Sequence, residues 1–173
     1  VIEVLKESKI VVNHLHIPIQ SGSDTVLKRM RRKYTMEFFA ERLRKLEAAL
    51  PALAVTSDVI VGFPGETEEE FMETYDFIKG HQFSELHVFP FSPRTGTPAA
   101  RMEDIFVAED VKNERVHRLI SLNDQLAKQY ASRFEGDVLE VIPEERFKDA
   151  DNENLYVGYT SNYLKIVFEG TED

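Results

Sequence analysis

Apolar residues along the chain recur with two different periods. Val11 to Ile19 is apolar and largely β-branched apart from Asn13, His14 and His16, with Pro18 near its end. Ala54 to Gly62 and Leu86 to Phe91 are similar short runs. Runs of this length, apolar on both parities, predict strands buried on both faces. Between them the spacing becomes helical. Asp24 predicts the cap of a short helix through about Arg32. A second helix follows Thr35, with Leu43, Leu46 and Leu50 on one face and Pro51 closing it. Thr67 and Glu70 form a capping-box pair, and Phe71, Tyr75 and Ile78 give the next helix one apolar stripe before Gly80. After a Pro/Gly-rich loop, Pro93 to Pro98, a long helix is predicted over Glu109 to Arg133, with Val116, Leu119, Ile120, Leu126 and Tyr130 inward. The opening Val1-Ile2-Glu3-Val4-Leu5-Lys6 reads as a helix entered in mid-domain.

Strand–helix alternation of this kind predicts an α/β fold with parallel strands joined by helical crossovers. Three such units make about half of a (β/α) barrel, which leaves an open strand edge and an uncovered interior. Self-association through that edge is one expectation. The pattern changes after Arg133. Val138 to Ile142, Leu155 to Tyr159 and Tyr163 to Phe168 predict short strands, with Asn152 to Asn154 in a polar loop between the first two. The expected division is therefore residues 1–133 and a small β module over 134–173, with too few strands to close a barrel.

Charge separates the same two parts. The chain carries a net charge of −10. Residues 134–173 hold 11 acidic and three basic side chains, while the first 133 hold 20 and 18. An acidic module argues against unaided binding of phosphate backbones, which depends on Lys and Arg. The chain has no cysteine, which excludes a disulfide framework and thiol chemistry and leaves the cytoplasm as the default compartment. No apolar run approaches a membrane span, and the first residues show no secretory leader.

Ligands of parallel α/β folds bind beyond the carboxyl ends of the strands, where the distinctive residues of this chain cluster. Gln20 and Ser21 follow the first strand and can hydrogen-bond a ribose or an amino-acid group. Lys28, Arg29, Arg31, Arg32 and Lys33 offer carboxylate capture, or are solvated cations favoured by a helix C-terminus. Gly62-Phe63-Pro64-Gly65-Glu66-Thr67 joins a strand to a helix. Its glycines suit close backbone approach to a ligand or a purely structural turn. Asp58, inside an apolar strand, needs a partner, either a ligand or a neighbouring strand. Phe89-Pro90-Phe91 forms either an apolar wall for a base or barrel core. His14 and His16 share one strand face, and with His87 and Asp58 they make a candidate metal site of a hydrolase or a set of satisfied interior histidines.

Four motifs in order, His14-Leu15-His16-Ile17-Pro18-Ile19-Gln20-Ser21-Gly22-Ser23-Asp24, Met30-x-Arg32-x-Tyr34-Thr35, Asp58 through Thr67, and Phe91-Ser92-x-Arg94-x-Gly96-Thr97-Pro98-Ala99-Ala100, closely resemble the MiaB-like radical S-adenosylmethionine methylthiotransferases. The stretches His87 to Ser92 and Thr97 to Met102 most resemble the type acting on threonylcarbamoyladenosine beside the tRNA anticodon. The isopentenyl-adenosine and ribosomal-protein types stay open. The resemblance implies the second half of a radical S-adenosylmethionine barrel, in which Gln20, Ser21, Arg32, Asp58 and Gly62 line the cofactor pocket. It further implies 4Fe-4S clusters in the intact protein, one held by a Cys-x3-Cys-x2-Cys run in the barrel's first half. This chain is therefore expected to be a C-terminal fragment, inactive by itself. Residues from about 130 resemble the start of a TRAM domain, a β-barrel that helps hold tRNA.

Overall fold

The computed structural model describes residues 2–8, 10–148 and 154–170. Asn152 and Glu153 of the expected polar loop lie outside the described residues. Helix α1 (Ile2–Glu7) leads to strand β1 (His14–His16), helices α2 (Asp24–Arg29) and α3 (Met36–Ala49) and strand β2 (Ala54–Val61). Helix α4 (Glu68–Lys79), strand β3 (Glu85–Pro90) and helix α5 (Glu109–Ser132) complete the first part. Strands β4 (Val141–Arg146), β5 (Leu155–Thr160) and β6 (Lys165–Glu169) follow. The chain is α/β, with one parallel sheet in the order β1-β2-β3 and a separate antiparallel sheet in the order β4-β5-β6.

The first strand is shorter and more exposed than its apolar run implies. Val11 and Val12 are exposed, and the ladder to β2 covers only His14 to His16. Pro18 has no N–H to continue it. Instead Ser57 donates its hydroxyl to the carbonyl of Ile17 and accepts the N–H of Ile19, both at 2.9 Å, so the chain stays seated on β2 past the proline. An isolated parallel bridge pairs Gln20 with Val59. Toward its carboxyl end the parallel sheet is also buried on one face rather than both, although Ala54 and Thr56 at its other end are buried as well. Val55, Val59 and Val61 of β2 pack with Ile19, Leu43, Phe71, Ile78 and Leu119 beneath the helices. Asp58 and Ile60, of opposite parity, are only half-buried on the other face.

Several helix ends are built differently from their sequence reading. Ser23, not Asp24, is the N-cap residue of α2. Asp24 instead accepts the N–H of Met36 at 2.7 Å and so caps the first turn of α3 together with Thr35, which accepts from Phe38. The Thr67–Glu70 capping box of α4 is present in both directions. On α5 the inward stripe is Leu119, Leu122, Leu126 and Tyr130, while Ile120 is exposed. Lys112 and Arg115 are also buried there: Lys112 covers Gly62 and donates to the carbonyl of Phe91, and Arg115 donates to the carbonyl of Glu66.

In the second sheet β4 begins at Val141 rather than Val138, which is fully exposed, and β6 begins at Lys165. Tyr163 is spent in the turn, with φ of 63°. That turn docks on the first part. Tyr163 stacks on His14 with ring centroids 3.9 Å apart, and Asn13 donates its N–H to the carbonyl of Ser161 at 3.0 Å. The Tyr130 hydroxyl lies between the carbonyls of Ala52 and Asn162, at 3.1 and 3.0 Å. The β5–β6 turn therefore closes the amino-terminal end of the parallel strands and leaves their carboxyl end open.

Candidate functional site

Register assembles the open face of the parallel sheet. Asp58 pairs across the ladder with His87, and Ile60 with Phe89. Side chains on paired positions of neighbouring strands share a face. Beyond the carboxyl ends of the strands this face becomes a cavity of about 510 Å³, lined by Gln20, Asp58, Ile60, Phe63, Phe89, Phe91 and Arg94 among others. A second cavity of about 230 Å³ shares Ile60, Phe63, Thr97 and Ala99 with it and is lined by Arg31 and Arg32. One groove thus runs from the sheet face to the basic segment after α2.

That segment is shaped by the end of α2. Arg31 adopts φ of 59°, its N–H bonds the carbonyl of Lys28, and the N–H of Arg32 bonds that of Leu27. This is the Schellman pattern with arginine where glycine is usual. It turns Arg32 back toward β1, and Nη2 of Arg32 donates to Oε1 of Gln20 at 3.0 Å. Gln20 is itself held at φ of 64°, with its N–H on the carbonyl of Asp58 and its carbonyl on the N–H of Ile60. A non-glycine residue in the left-handed region costs free energy, and here two backbone bonds to β2 hold it there. The carboxamide of Gln20 is thereby oriented by Arg32, with its amino group left to donate into the cavity.

Arg29, one turn earlier, does different work. Its guanidinium forms a two-pronged pair with Glu70, at 2.9 and 2.5 Å, and also reaches the carbonyl of Gly65. These bonds lower the pKa of Glu70 to about 2. Arg29 lines the smaller cavity too, but its guanidinium is spent tying α2 to α4, whereas Arg32 reaches Gln20.

Two expected site residues do not reach the cavity. Ser21 is fully buried against α4, its hydroxyl 3.2 Å from that of Thr74. A Cβ on the next residue, Gly22, would lie 2.5 Å from Cα of Thr74, so the glycine is required by close packing of this loop on α4. Gly62 has φ of 70° and is covered by Lys112, whose Cγ would be 2.3 Å from a Cβ at that position. Its N–H goes to Oε1 of Glu66 at 2.9 Å, and Glu66 in turn pairs with Arg115 at 2.9 Å. Burial raises the pKa of Glu66, which the Gly62 N–H and Arg115 oppose. The Gly62–Thr67 motif is therefore a buried clamp on α5, and only its Phe63 enters the cavity.

The histidines divide. His14 and His16 both hydrogen-bond the Thr56 hydroxyl at 2.9 Å. His14 then lies under Tyr163, and burial, followed by His16, lowers its pKa. His16 turns Nε2 to Oδ2 of Asp58 at 3.3 Å, and His87 joins them, the three offering ligand atoms within 4.8 Å of one another. The expected four-residue metal set is reduced to His16, Asp58 and His87.

Ile60 lines the groove without having been singled out in the sequence, and Phe63, Arg94 and Thr97 are named there only as members of motifs. Ile60 shares strand parity with Asp58, which was signal enough to include it. The cavity combines an aromatic wall, one carboxylate, one oriented carboxamide and, next to it, a guanidinium. This set fits a ligand with a flat base, hydroxyl groups and a carboxylate, as S-adenosylmethionine has. An iron–sulfur cluster does not fit, because this chain offers no thiolate to hold one.

The radical SAM superfamily model matches residues 1–78. Over all 173 residues the chain is 78% identical to threonylcarbamoyladenosine tRNA methylthiotransferase MtaB of Bacillus subtilis (strain 168), of which it spans 38%. The chain belongs to the MiaB-like radical S-adenosylmethionine family. A second relative in that family, the tRNA-2-methylthio-N(6)-dimethylallyladenosine synthase of Geobacillus thermodenitrificans (strain NG80-2), is 44% identical over 169 residues. The match covers 98% of this chain and 32% of that protein. The chain thus spans between 32% and 38% of the length of these relatives. Among solved structures, the archaeal Methanocaldococcus infernus Elp3 with an N-terminal deletion matches with a TM-score of 0.51 at 13% identity, over 94% of this chain and 54% of that one. That likeness is one of fold alone.

Proposed function

We propose that this chain is part of a tRNA methylthiotransferase that inserts a methylthio group at N6-threonylcarbamoyladenosine beside the anticodon. The observation that carries the proposal is the 78% identity to the Bacillus subtilis enzyme along the whole chain. In this reading residues 1–133 supply the second half of the barrel, and 134–173 the start of a TRAM-like β module. The cluster cysteines belong to other parts of the intact cytoplasmic protein. S-adenosylmethionine, when bound, supplies radical activation of a C–H bond, and the protein positions and shields it.

The residues of this chain have separate parts in that task. Arg32 captures the carboxylate of the cofactor, and Gln20, oriented by Arg32, donates to a hydroxyl or amino-acid group. Asp58 accepts from the cofactor's hydroxyl or ammonium groups. Phe89, with Phe63 and Phe91, forms the apolar wall against adenine. Ser21 and Gly62 hold the two loops in place without touching it.

The test is mass spectrometry of tRNA nucleosides from cells lacking the gene. The methylthio derivative of threonylcarbamoyladenosine should vanish, its unthiolated precursor should accumulate, and the intact gene should restore it. Loss of the isopentenyl derivative, or of a modification on a ribosomal protein, would redirect the substrate assignment.

A second reading, a metal-dependent hydrolase, has one observation in its favour, the convergence of His16, Asp58 and His87. Stoichiometric zinc in the purified protein, lost on His16→Ala, would support it. On the methylthiotransferase reading zinc stays well below one equivalent.

A further inference from the structure

Most buried or half-buried cations in this chain already hold a carboxylate. Arg29 pairs with Glu70, Lys112 with Glu109, Arg115 with Glu66 and Glu68, and Arg118 with Glu68 and Glu114. Arg31, Lys33, Arg94 and Arg101 differ. All four are exposed, and among the described residues none is paired with a carboxylate.

Lys28, Lys79 and Lys128 are likewise exposed and without a salt bridge among the described residues, but Arg31, Lys33, Arg94 and Arg101 lie among or beside the residues that line the two joined cavities. Arg94 lines the larger cavity and Arg31 the smaller, and the two cavities share four residues. Lys33 follows Arg32, and Arg101 lies between Ala99 and Met102, which line the smaller cavity. Among the described residues Asp58 is the one carboxylate lining the larger cavity, and none lines the smaller. Glu103 and Asp104 follow Arg101 closely in the chain but line neither cavity. In a chain of net charge −10, the mouth of the groove is therefore locally cationic.

We infer that this rim is the docking surface for an RNA strand, with Arg31, Lys33, Arg94 and Arg101 neutralising the phosphates that flank the nucleoside entering the cavity. The inference rests on the tRNA reading above, but places the phosphate contacts on the barrel rim rather than on the β4–β6 sheet. That sheet belongs to the part with 11 acidic and three basic residues, which repels a polyanion. Unpaired, exposed guanidinium groups around a concave mouth are suited to phosphate, because each contact releases a condensed counterion and no internal ion pair has to be broken.

The test uses the intact protein and a synthetic anticodon stem-loop carrying threonylcarbamoyladenosine, with affinity measured by fluorescence anisotropy across a salt series. Arg31→Ala, Arg94→Ala and Arg101→Ala combined should weaken binding at least tenfold. They should also lower the slope of log affinity against log salt by about 2–3, since each lost phosphate contact removes just under one unit. Arg94→Lys should keep the slope that Arg94→Ala loses, which separates charge from misfolding. Glu144→Gln with Glu145→Gln on β4 should not weaken binding. An unchanged slope in the triple variant, or a loss of slope confined to changes in the β4–β6 sheet, would overturn the rim assignment. So would unchanged RNA affinity accompanied by lost modification of a polypeptide, which would make the rim a protein-docking surface. Cells that lack the gene yet keep the methylthiolated nucleoside would instead refute the underlying tRNA reading, whatever the anisotropy shows.

Discussion

Arg32 donates to the side chain of Gln20 at 3.0 Å and thereby joins the end of α2 to the end of β1 at the mouth of the groove. Both residues depend on left-handed backbone, Gln20 on its own and Arg32 on that of Arg31 just before it. The pair is set by strained chain rather than by a regular element. Such strain is tolerated where surrounding hydrogen bonds over-determine it, and it concentrates at ligand sites.

Arg32 and Arg29 should therefore separate cleanly on substitution. In the intact enzyme Arg32→Ala should weaken S-adenosylmethionine binding about 10- to 100-fold, the worth of about 1.5–3 kcal/mol for a hydrogen bond to a charged group. Its thermal stability should change little. Arg29→Ala should do the opposite, lowering the melting temperature because Glu70 loses its two-pronged partner. Calorimetric titration and a melting curve on each variant decide it. Equal losses of cofactor affinity would mean that the wrong arginine has been assigned.

Gly62→Ala should destabilise the fold by about 2 kcal/mol or more, through left-handed backbone and overpacking together. The new Cβ meets Cγ and Cδ of Lys112 at 2.3 and 2.6 Å, and Lys112 is itself buried. Urea unfolding measures the loss. Gly96→Ala offers a comparison, since its φ is also positive but nothing lies within 4 Å of its Cβ. The difference between the two isolates the contact with Lys112.

The elements of this fold were legible because their signals are local. Thr67 and Glu70 announced the start of α4, and the apolar run of β2 announced a strand. Gln20, Arg32 and Asp58 were legible as site candidates through the motifs of the family, and Phe89 through its place at the end of the third strand. The fate of Ser21 and Gly62 was not, because the same short motif can face a ligand or bury itself. Here Thr74 and Lys112, 53 and 50 positions along, decide in favour of burial. Exposure of Val11 and Val12 was hidden for a related reason, since an apolar run reads the same on an edge strand as on a central one.

Tyr130→Phe tests how the β4–β6 sheet is held. The hydroxyl's one proton is shared between two carbonyls from different parts of the chain, and burial pushes its pKa up to about 12. The phenylalanine keeps the ring packed against Phe134 and removes only those bonds. The expected loss is about 1–2 kcal/mol by urea unfolding, as a hydrogen bond and the solvation of its buried partners are forfeited. Amide exchange of β5 and β6 should rise more than that of β2. Uniform acceleration across both sheets would show that they unfold as one unit.

Acid should act on Glu66 first and loosen the fold through Glu70 only below the ordinary carboxylate value. The pKa of Glu70 falls from 4.5 to about 2 on folding, chiefly through its hydrogen bonds with Arg29. A carboxylate depressed in this way contributes stability that is complete above pH 4.5 and is lost as pH falls toward 2. Glu66 has the opposite sign. Its pKa is raised by burial, so its charged form is a cost at neutral pH that is relieved as pH falls toward 4.5. The two windows meet at the ordinary carboxylate value without overlapping. Glu70→Gln should therefore flatten the decline of unfolding free energy below pH 4.5 and leave the profile above it unchanged. Glu66→Gln should alter the upper window alone. Urea midpoints measured from pH 7 down to about 3 will test both, and a Glu70→Gln profile that falls as steeply as wild type would mean that the Arg29 pair contributes nothing in solution.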